Sequence, residues 1–415
     1  MQHATSLILN QEVASKMTEA EFIQQHRNED VHTLAFKKIP DGMNLQFCLQ
    51  QIEGWQLACK KLPHWSEKKD ILFPPRLSME QCSSQYTSLY KRQIAERLLP
   101  EERRQEMVDL TGGYGVDFSY LAPIFKHATY VEQNPDLCKL AQHNFPVLGL
   151  SNTSIVCGDG IGQLTQTKKN YSLVYLDPAR RDKAGRKTVA LEDCTPDITS
   201  LATEILLRSH VTLVKLSPML DISLALHTLK NVSEVHVVSV EGECKELLFV
   251  ITAEKNGEVN FHCVNLRSED PVFVCSETER HTTPDILSRL SNEETFLYEP
   301  NASILKASVQ NALCSLYNLK KLHSNSHLFV NNRLLKDFPG RSFHIVGWSD
   351  FSRQSLCKML GDLKQANLAT RNFPTSVAVL RKRLKLREGG KDYLFATTQA
   401  DGSHILIRGE KALPI

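Results

Sequence analysis

Residues 108 to 118 read Val108-Asp109-Leu110-Thr111-Gly112-Gly113-Tyr114-Gly115-Val116-Asp117-Phe118: a short apolar strand, three glycines in four positions, and the opening of a helix. Glycines at such a place let the backbone come close to a ligand, which then sits at the carboxyl end of the strand beside a helix N-terminus. A tight turn needing positive φ is the plainer reading, but so dense a run between strand and helix favours a ligand loop. Twenty residues past Gly112, Glu132 closes the next apolar run, Ala128-Thr129-Tyr130-Val131-Glu132, where a carboxylate can accept from ribose hydroxyls. Dinucleotide-binding folds share both features. Their fingerprint needs Gly or Ala at its third position for tight helix packing, yet counted from Gly113 that place holds Phe118. Asp109 on the strand before the glycines completes the pattern D-x-x-x-G-x-G.

Outward from this loop, short apolar runs alternate with longer amphipathic ones. The runs Met107 to Leu110, Ala128 to Glu132, Ser154 to Cys157, Leu173 to Leu176 and Val211 to Leu216 predict strands, and Pro135 to Phe145 and Asp197 to Arg208 predict helices between them. Strands spaced by helices imply right-handed crossovers and a parallel sheet covered on both faces. Val235 to Val240 and Leu247 to Thr252 are separated by a link too short for a crossover helix, so that pair should be antiparallel. Residues 1–78 carry helical spacing in short pieces and end in Phe73-Pro74-Pro75-Arg76, which predicts a small helical domain and a linker. Met79 to Pro100 predicts one helix. Residues 79–255 form the α/β domain and 256–335 a mixed stretch, with strands near Phe273 and Phe296 and a helix from Ala302 to Leu319. Residues 336–415 form an α+β module: a strand at Phe343 to Val346, a helix around Leu356 to Leu363, a strand at Val377 to Leu380, and a hairpin pairing Tyr393 to Thr397 with His404 to Ile407.

Composition narrows the class. The chain has 415 residues, 41% hydrophobic and 23% charged, which excludes collagenous and disordered proteins. A formal net charge of +2 argues against whole-protein attraction to a polyanion or membrane, so any basic footprint must be local. Eleven cysteines without a C-x-x-C pair suit reduced thiols better than a disulfide framework or a zinc ribbon. No apolar run approaches the roughly 18 residues of a spanning helix, and the N-terminus lacks a signal-peptide pattern. A cytoplasmic protein with no membrane partner is expected. Composition says nothing of its oligomeric state.

With its strand-borne acid, glycine loop and Glu132, the chain resembles the class I S-adenosylmethionine-dependent methyltransferases. The resemblance implies a seven-stranded Rossmann-like α/β sheet, here flanked by the N-terminal helical domain and the C-terminal α+β modules. It implies that Asp109, Thr111, Gly113, Gly115, Glu132 and Asp177 bind S-adenosyl-L-methionine. It also assigns Asp159, in Val156-Cys157-Gly158-Asp159-Gly160, to the adenine amino group. Asp177 in Leu176-Asp177-Pro178-Ala179-Arg180-Arg181 stands where the superfamily places its catalytic or substrate-facing motif. That motif, together with Leu191 to Asp197, Lys215 to Asp221 and Glu243 to Leu247, resembles a bacterial methyltransferase family bearing a ferredoxin-like insert and a C-terminal THUMP-like domain. Phe296 to Ala302 is similar to the insert and Phe343 to about Gly409 to the THUMP-like part. Glu80 to Lys91 is similar to the segment that folds over the cofactor in trimethylguanosine synthase-like RNA methyltransferases; an ordinary capped amphipathic helix is an equal reading.

Asp177-Pro178 could be a plain strand-ending turn, but its place at the carboxyl edge of the sheet favours function. Base-amino methyltransferases usually have Pro-Pro and an aromatic there; Ala179 and Arg180 stand instead, so an aromatic clamp on a flipped base is not expected. Asp177 and Arg180 are therefore the catalytic candidates. Arg180, Arg181 and Lys183 beside the pocket, and Arg381 and Arg383 in the cluster of Arg371, Lys382, Lys385, Arg387 and Lys391, are candidate phosphate contacts. Charge runs are more often solvated faces; two on a near-neutral chain favour RNA over a small substrate. Cys194 could serve as a nucleophile for a ring-carbon acceptor, though a lone cysteine is more often packing. No metal ligand spacing is evident. The expected activity is methyl transfer to a nitrogen or oxygen of structured ribosomal or transfer RNA. Its rivals are a noncatalytic RNA-binding protein on the same scaffold and, opposed by Phe118, a nicotinamide-dependent oxidoreductase.

Overall fold

The computed structural model describes residues 17–37, 42–180, 194–253 and 257–412. They fall into two compact units, residues 1–160 and 161–415.

In the first unit, helices Glu19–His26 and Leu45–Lys61 share a core of buried Phe22, Cys48 and Ile52 with Leu34 of the short helix Val31–Leu34. Thr18 starts the first of them with a capping box to Glu21. The segment expected as one helix from Met79 is two, Arg76–Gln81 and Gln85–Leu98. The break has a local cause: Cys82 is extended, and Ser84 caps the second helix by accepting from the Thr87 amide. Three strands follow, β1 (Glu106–Asp109), β2 (His127–Glu132) and β3 (Thr153–Cys157), parallel in the order β1-β2-β3. Helices Val116–Leu121 and Pro135–Val147 connect them. Trp65, Phe73, Met79, Tyr114, Val116 and Tyr120 share one core, so the N-terminal helical region packs directly on the glycine loop. Asn144 reinforces this by accepting from the Leu72 amide and donating to the Leu72 carbonyl.

In the second unit the strands are β4 (Tyr171–Leu176), β5 (Ala179–Arg180), β6 (Cys194–Thr195), β7 (Ser209–Leu216), β8 (Val232–Val240), β9 (Glu243–Thr252), β10 (Asn260–Leu266) and β11 (Phe273–Ser276). Six of them form sheet in the order β11-β10-β8-β9-β7-β4. β4 and β7 are parallel, and β9 is antiparallel to both β7 and β8, as the short link implies. That link is a two-residue turn in which Glu241 and Gly242 both have positive φ, the geometry that matches strand twist. The sheet runs past residue 255, because β10 adds in parallel to β8 and β11 closes the edge. These two strands are additional to the seven-stranded pattern, which ends on the β8–β9 pair. The fold is otherwise the expected α/β methyltransferase type.

A further sheet of seven strands comprises β12 (Phe296–Pro300), β13 (Lys320–Lys321), β14 (Phe329–Asn331), β15 (Gly340–Asp350), β16 (Asn367–Arg371), β17 (Asp392–Thr398) and β18 (His404–Lys411). Their order is β13-β14-β12-β15-β18-β17-β16. Alternation sends Phe395 of β17 into one core with Phe343 and Ile407, and Leu394 and Ala396 into another with Leu380 and Leu406. Two expectations fail here. The helix from Ala302 to Leu319 is two short ones, Ala302–Ala307 and Ala312–Tyr317, parted by Ser308 in the left-handed region. Val377 to Leu380 is the start of helix Val377–Leu384, not a strand. The valines favour a strand locally, but Val377, Leu380, Arg381 and Leu384 turn inward at helical spacing, and that packing prevails.

Candidate active site

The glycine loop is packed tightly on the side facing Tyr130 and Phe145. A Cβ on Gly112 would lie 2.2 Å from the Tyr130 ring, so only glycine fits against that strand. Gly113 has φ +56°, and a Cβ there would meet nothing closer than the Thr111 carbonyl at 3.8 Å. The loop backbone is thus pinned on one side and open on the other. The Tyr130 hydroxyl donates to the Gly113 carbonyl from beneath, and burial pushes its phenol well up, so it stays a donor.

Glu132 faces this loop from the end of β2. One carboxylate oxygen accepts from the Gly113 amide at 2.8 Å and the other from the Asn134 amide at 2.8 Å. Both bonds hold the carboxylate at the rim of the loop, with lone pairs left for further donors. Asp159, exposed after β3, accepts from Gln133 Nε2 at 2.8 Å, which places it beside the same strand end. The Gly158 amide donates to the Glu132 carbonyl. Asp109 is 1% exposed and accepts from the Thr111 amide at 2.9 Å. Asp109 and Thr111 therefore fix the entry to the loop, Glu132 is bonded to Gly113 within it, and Asp159 stands by the adjoining strand end next to Gln133.

Sequence reasoning missed the groups beneath the loop. Asp117, in the helix that the loop opens, accepts from Ser83 and Ser88 hydroxyls at 2.6 Å each. Lys91 Nζ lies 3.1 Å from Asp117 Oδ1 and donates to Ser83 Oγ. The Glu80 to Lys91 segment is thus anchored to the glycine-loop helix through polar groups. A buried polar residue in an amphipathic helix was the available signal.

At the end of β4, Asp177 Oδ2 accepts from Lys215 Nζ at 2.5 Å, from the adjacent strand β7. Arg180 lies in β5 opposite Cys194 of β6, and Cys194 is buried. Arg181 and Lys183 lie outside the described residues. Among the described residues no disulfide joins the eleven cysteines.

Comparison with known proteins places this geometry. The chain is 33% identical to the solved structure titled "putative methyltransferase from Porphyromonas gingivalis W83", over 95% of this chain and 97% of that one, with a TM-score of 0.83. Residues 296–339 match a ferredoxin-like domain and residues 340–411 a THUMP domain-like family. The chain belongs to the class I methyltransferase family that carries these two domains. An rRNA methylase from Streptococcus thermophilus is 11% identical over 40% of this chain and 95% of that one, with a TM-score of 0.31. A SAM-dependent methyltransferase from Agrobacterium tumefaciens is 17% identical over 40% of this chain and 61% of that one, with a TM-score of 0.32. None of the curated proteins compared with the chain matches it.

In this methyltransferase the basic cluster of the THUMP-like part separates into two kinds of residue. Arg371 is committed to Glu299, which is 5% exposed and also holds Arg341. Arg381 donates to the Ala366 carbonyl, and Lys391 pairs with Glu410. Lys382, Arg383, Lys385 and Arg387 are exposed, and the Arg383 guanidinium lies over the Phe351 ring. Among the described residues, no helix of the methyltransferase is long and apolar enough to cross a membrane.

Proposed function

We propose that this methyltransferase transfers a methyl group from S-adenosyl-L-methionine to a nitrogen or oxygen of structured ribosomal or transfer RNA. The observation that carries the cofactor assignment is the Glu132 carboxylate bonded to the Gly113 amide. It sets an acceptor for ribose hydroxyls at the edge of a loop whose outer face is clear. The residues fit the cofactor: Gly113 and Gly115 provide a backbone cradle, Glu132 a hydroxyl acceptor and Asp159 an exposed acceptor for an amino group, with Asp109 and Thr111 holding the loop. When bound, S-adenosylmethionine supplies an already electrophilic methyl, so the chain's residues have only to position the acceptor and accept its proton. Asp177 is assigned that role, oriented by Lys215. Arg180, Arg181 and Lys183 are assigned to nearby phosphates.

The RNA assignment is supported by the THUMP-like match and by exposed Lys382, Arg383, Lys385 and Arg387 on or just after helix Val377–Leu384. Arg381, turned inward, contributes to the helix that presents them. The test is mass spectrometry of ribosomal and transfer RNA nucleosides from a strain lacking the gene beside its parent. Loss of one methylated nucleoside, restored by the wild-type gene but not by an Asp177→Ala copy, is expected. Unchanged methylation throughout would favour a noncatalytic RNA-binding role.

A further inference from the structure

Away from the methyl-transfer residues, β8 and β10 bring together three metal-ligating side chains. Glu234 and His236 stand two residues apart on β8 and so project from the same face. The parallel register sets His262 of β10 directly opposite His236. Glu234 Oε2 lies 2.8 Å from His236 Nε2 and 3.8 Å from His262 Nε2, and all three donor atoms lie within 4.8 Å of one another. The imidazoles stack with centroids 4.3 Å apart and planes 14° from parallel. His236 is 1% exposed and Glu234 9%, while His262 keeps an edge toward solvent.

We propose that Glu234, His236 and His262 bind a zinc ion that clips β10 to β8. Two imidazole nitrogens and one carboxylate oxygen are a donor set suited to zinc. Bonds of about 2.0 to 2.2 Å in a tetrahedral site put donor atoms a little over 3 Å apart, between the two separations to Glu234. A divalent cation satisfies all three donors together. Capture needs the two rings to tilt out of parallel, and the edge of His262 that reaches solvent would leave the fourth position to a water molecule. β8 is hydrogen-bonded on both sides, to β9 and β10, so the donors rest on a rigid support. The ion would secure β10, the first of the two strands that exceed the seven-stranded pattern, to β8.

The test uses the full chain, stripped with chelator and titrated with zinc against a competing indicator, beside His262→Gln and Glu234→Gln. His262 lies at the rim, so its variant should fold, and circular dichroism verifies this; a His236→Gln variant adds the buried ligand. One zinc per wild-type chain is expected, with affinity at least about tenfold weaker in each variant and a zinc-dependent rise in melting temperature seen only in the wild type. Cobalt should give visible d–d bands in the wild type that the variants lose. No zinc uptake by the wild type, or equal uptake by folded His262→Gln through exposed thiols such as Cys59 or Cys357, would overturn the proposal.

Discussion

Lys91 Nζ lies 3.1 Å from Asp117 Oδ1, with the lysine side chain fully buried and the carboxylate 9% exposed. The pair ties helix Gln85–Leu98 to helix Val116–Leu121, and so fixes the helix that the glycine loop opens. Removing one partner leaves the other charged and dry, which costs about 3 to 5 kcal/mol. Lys91→Met should therefore lower the denaturation midpoint sharply, and Lys91→Met with Asp117→Asn should recover part of the loss. A single variant as stable as wild type in a urea titration would show that the pair is not the tether.

Asp177 and Lys215 make the second testable pair. Asp177→Ala should reduce turnover by about 100-fold or more, the usual effect of losing a positioned acid–base group, with cofactor binding retained. Cys194→Ser should stay active, because a nitrogen or oxygen acceptor needs no thiol adduct. Single-turnover assays on the identified RNA decide both. An inactive Cys194→Ser with a covalent RNA adduct in the wild type would indicate a ring-carbon acceptor.

The turn between β17 and β18 carries a pH-dependent contribution. Asp401 accepts from Ser403, through its hydroxyl and amide, and from Arg289, and these hold its carboxyl down at about 2. A depressed folded-state value means stability that is complete above the ordinary value of 3.8 and fades as pH falls toward about 2. The melting-temperature gap between wild type and Asp401→Asn should be widest near pH 5, narrow as pH falls below 3.8 and close only below about 2. A gap that grows on acidification would contradict this assignment.

The parallel strands and the loop were legible because their signals are local: apolar runs bounded by turns, glycines before a helix, an acid after each strand. Val377 to Leu380 misled because two valines speak for a strand while the decisive fact, Leu380 and Leu384 facing one core, lies in tertiary packing. Glu299 between Arg341 and Arg371 joins residues far apart in sequence, so Arg371 looked like a member of a free basic cluster. Glu234, His236 and His262 meet through a strand register that no sequence spacing announces.

That division predicts opposite behaviour for two arginines in one module. Arg383→Ala should weaken RNA binding and reduce the salt slope by about 0.7 to 0.9, with only a small fall in melting temperature from the lost contact with Phe351. Arg371→Ala should lower the melting temperature, since Glu299 loses a partner while buried, and should leave the salt slope alone. Filter binding over a salt series, paired with thermal melts, separates them; the reverse pattern would mean that Arg371 leaves Glu299 for RNA.

Calorimetry with S-adenosylhomocysteine asks whether the glycine loop and Glu132 form a site for S-adenosylmethionine. The wild type should bind the product, and Glu132→Ala should bind it about 1.5 to 3 kcal/mol more weakly, as expected for losing a charge-assisted bond. Tight binding of NAD by the wild type, with no heat from S-adenosylhomocysteine, would show that the loop holds a different cofactor.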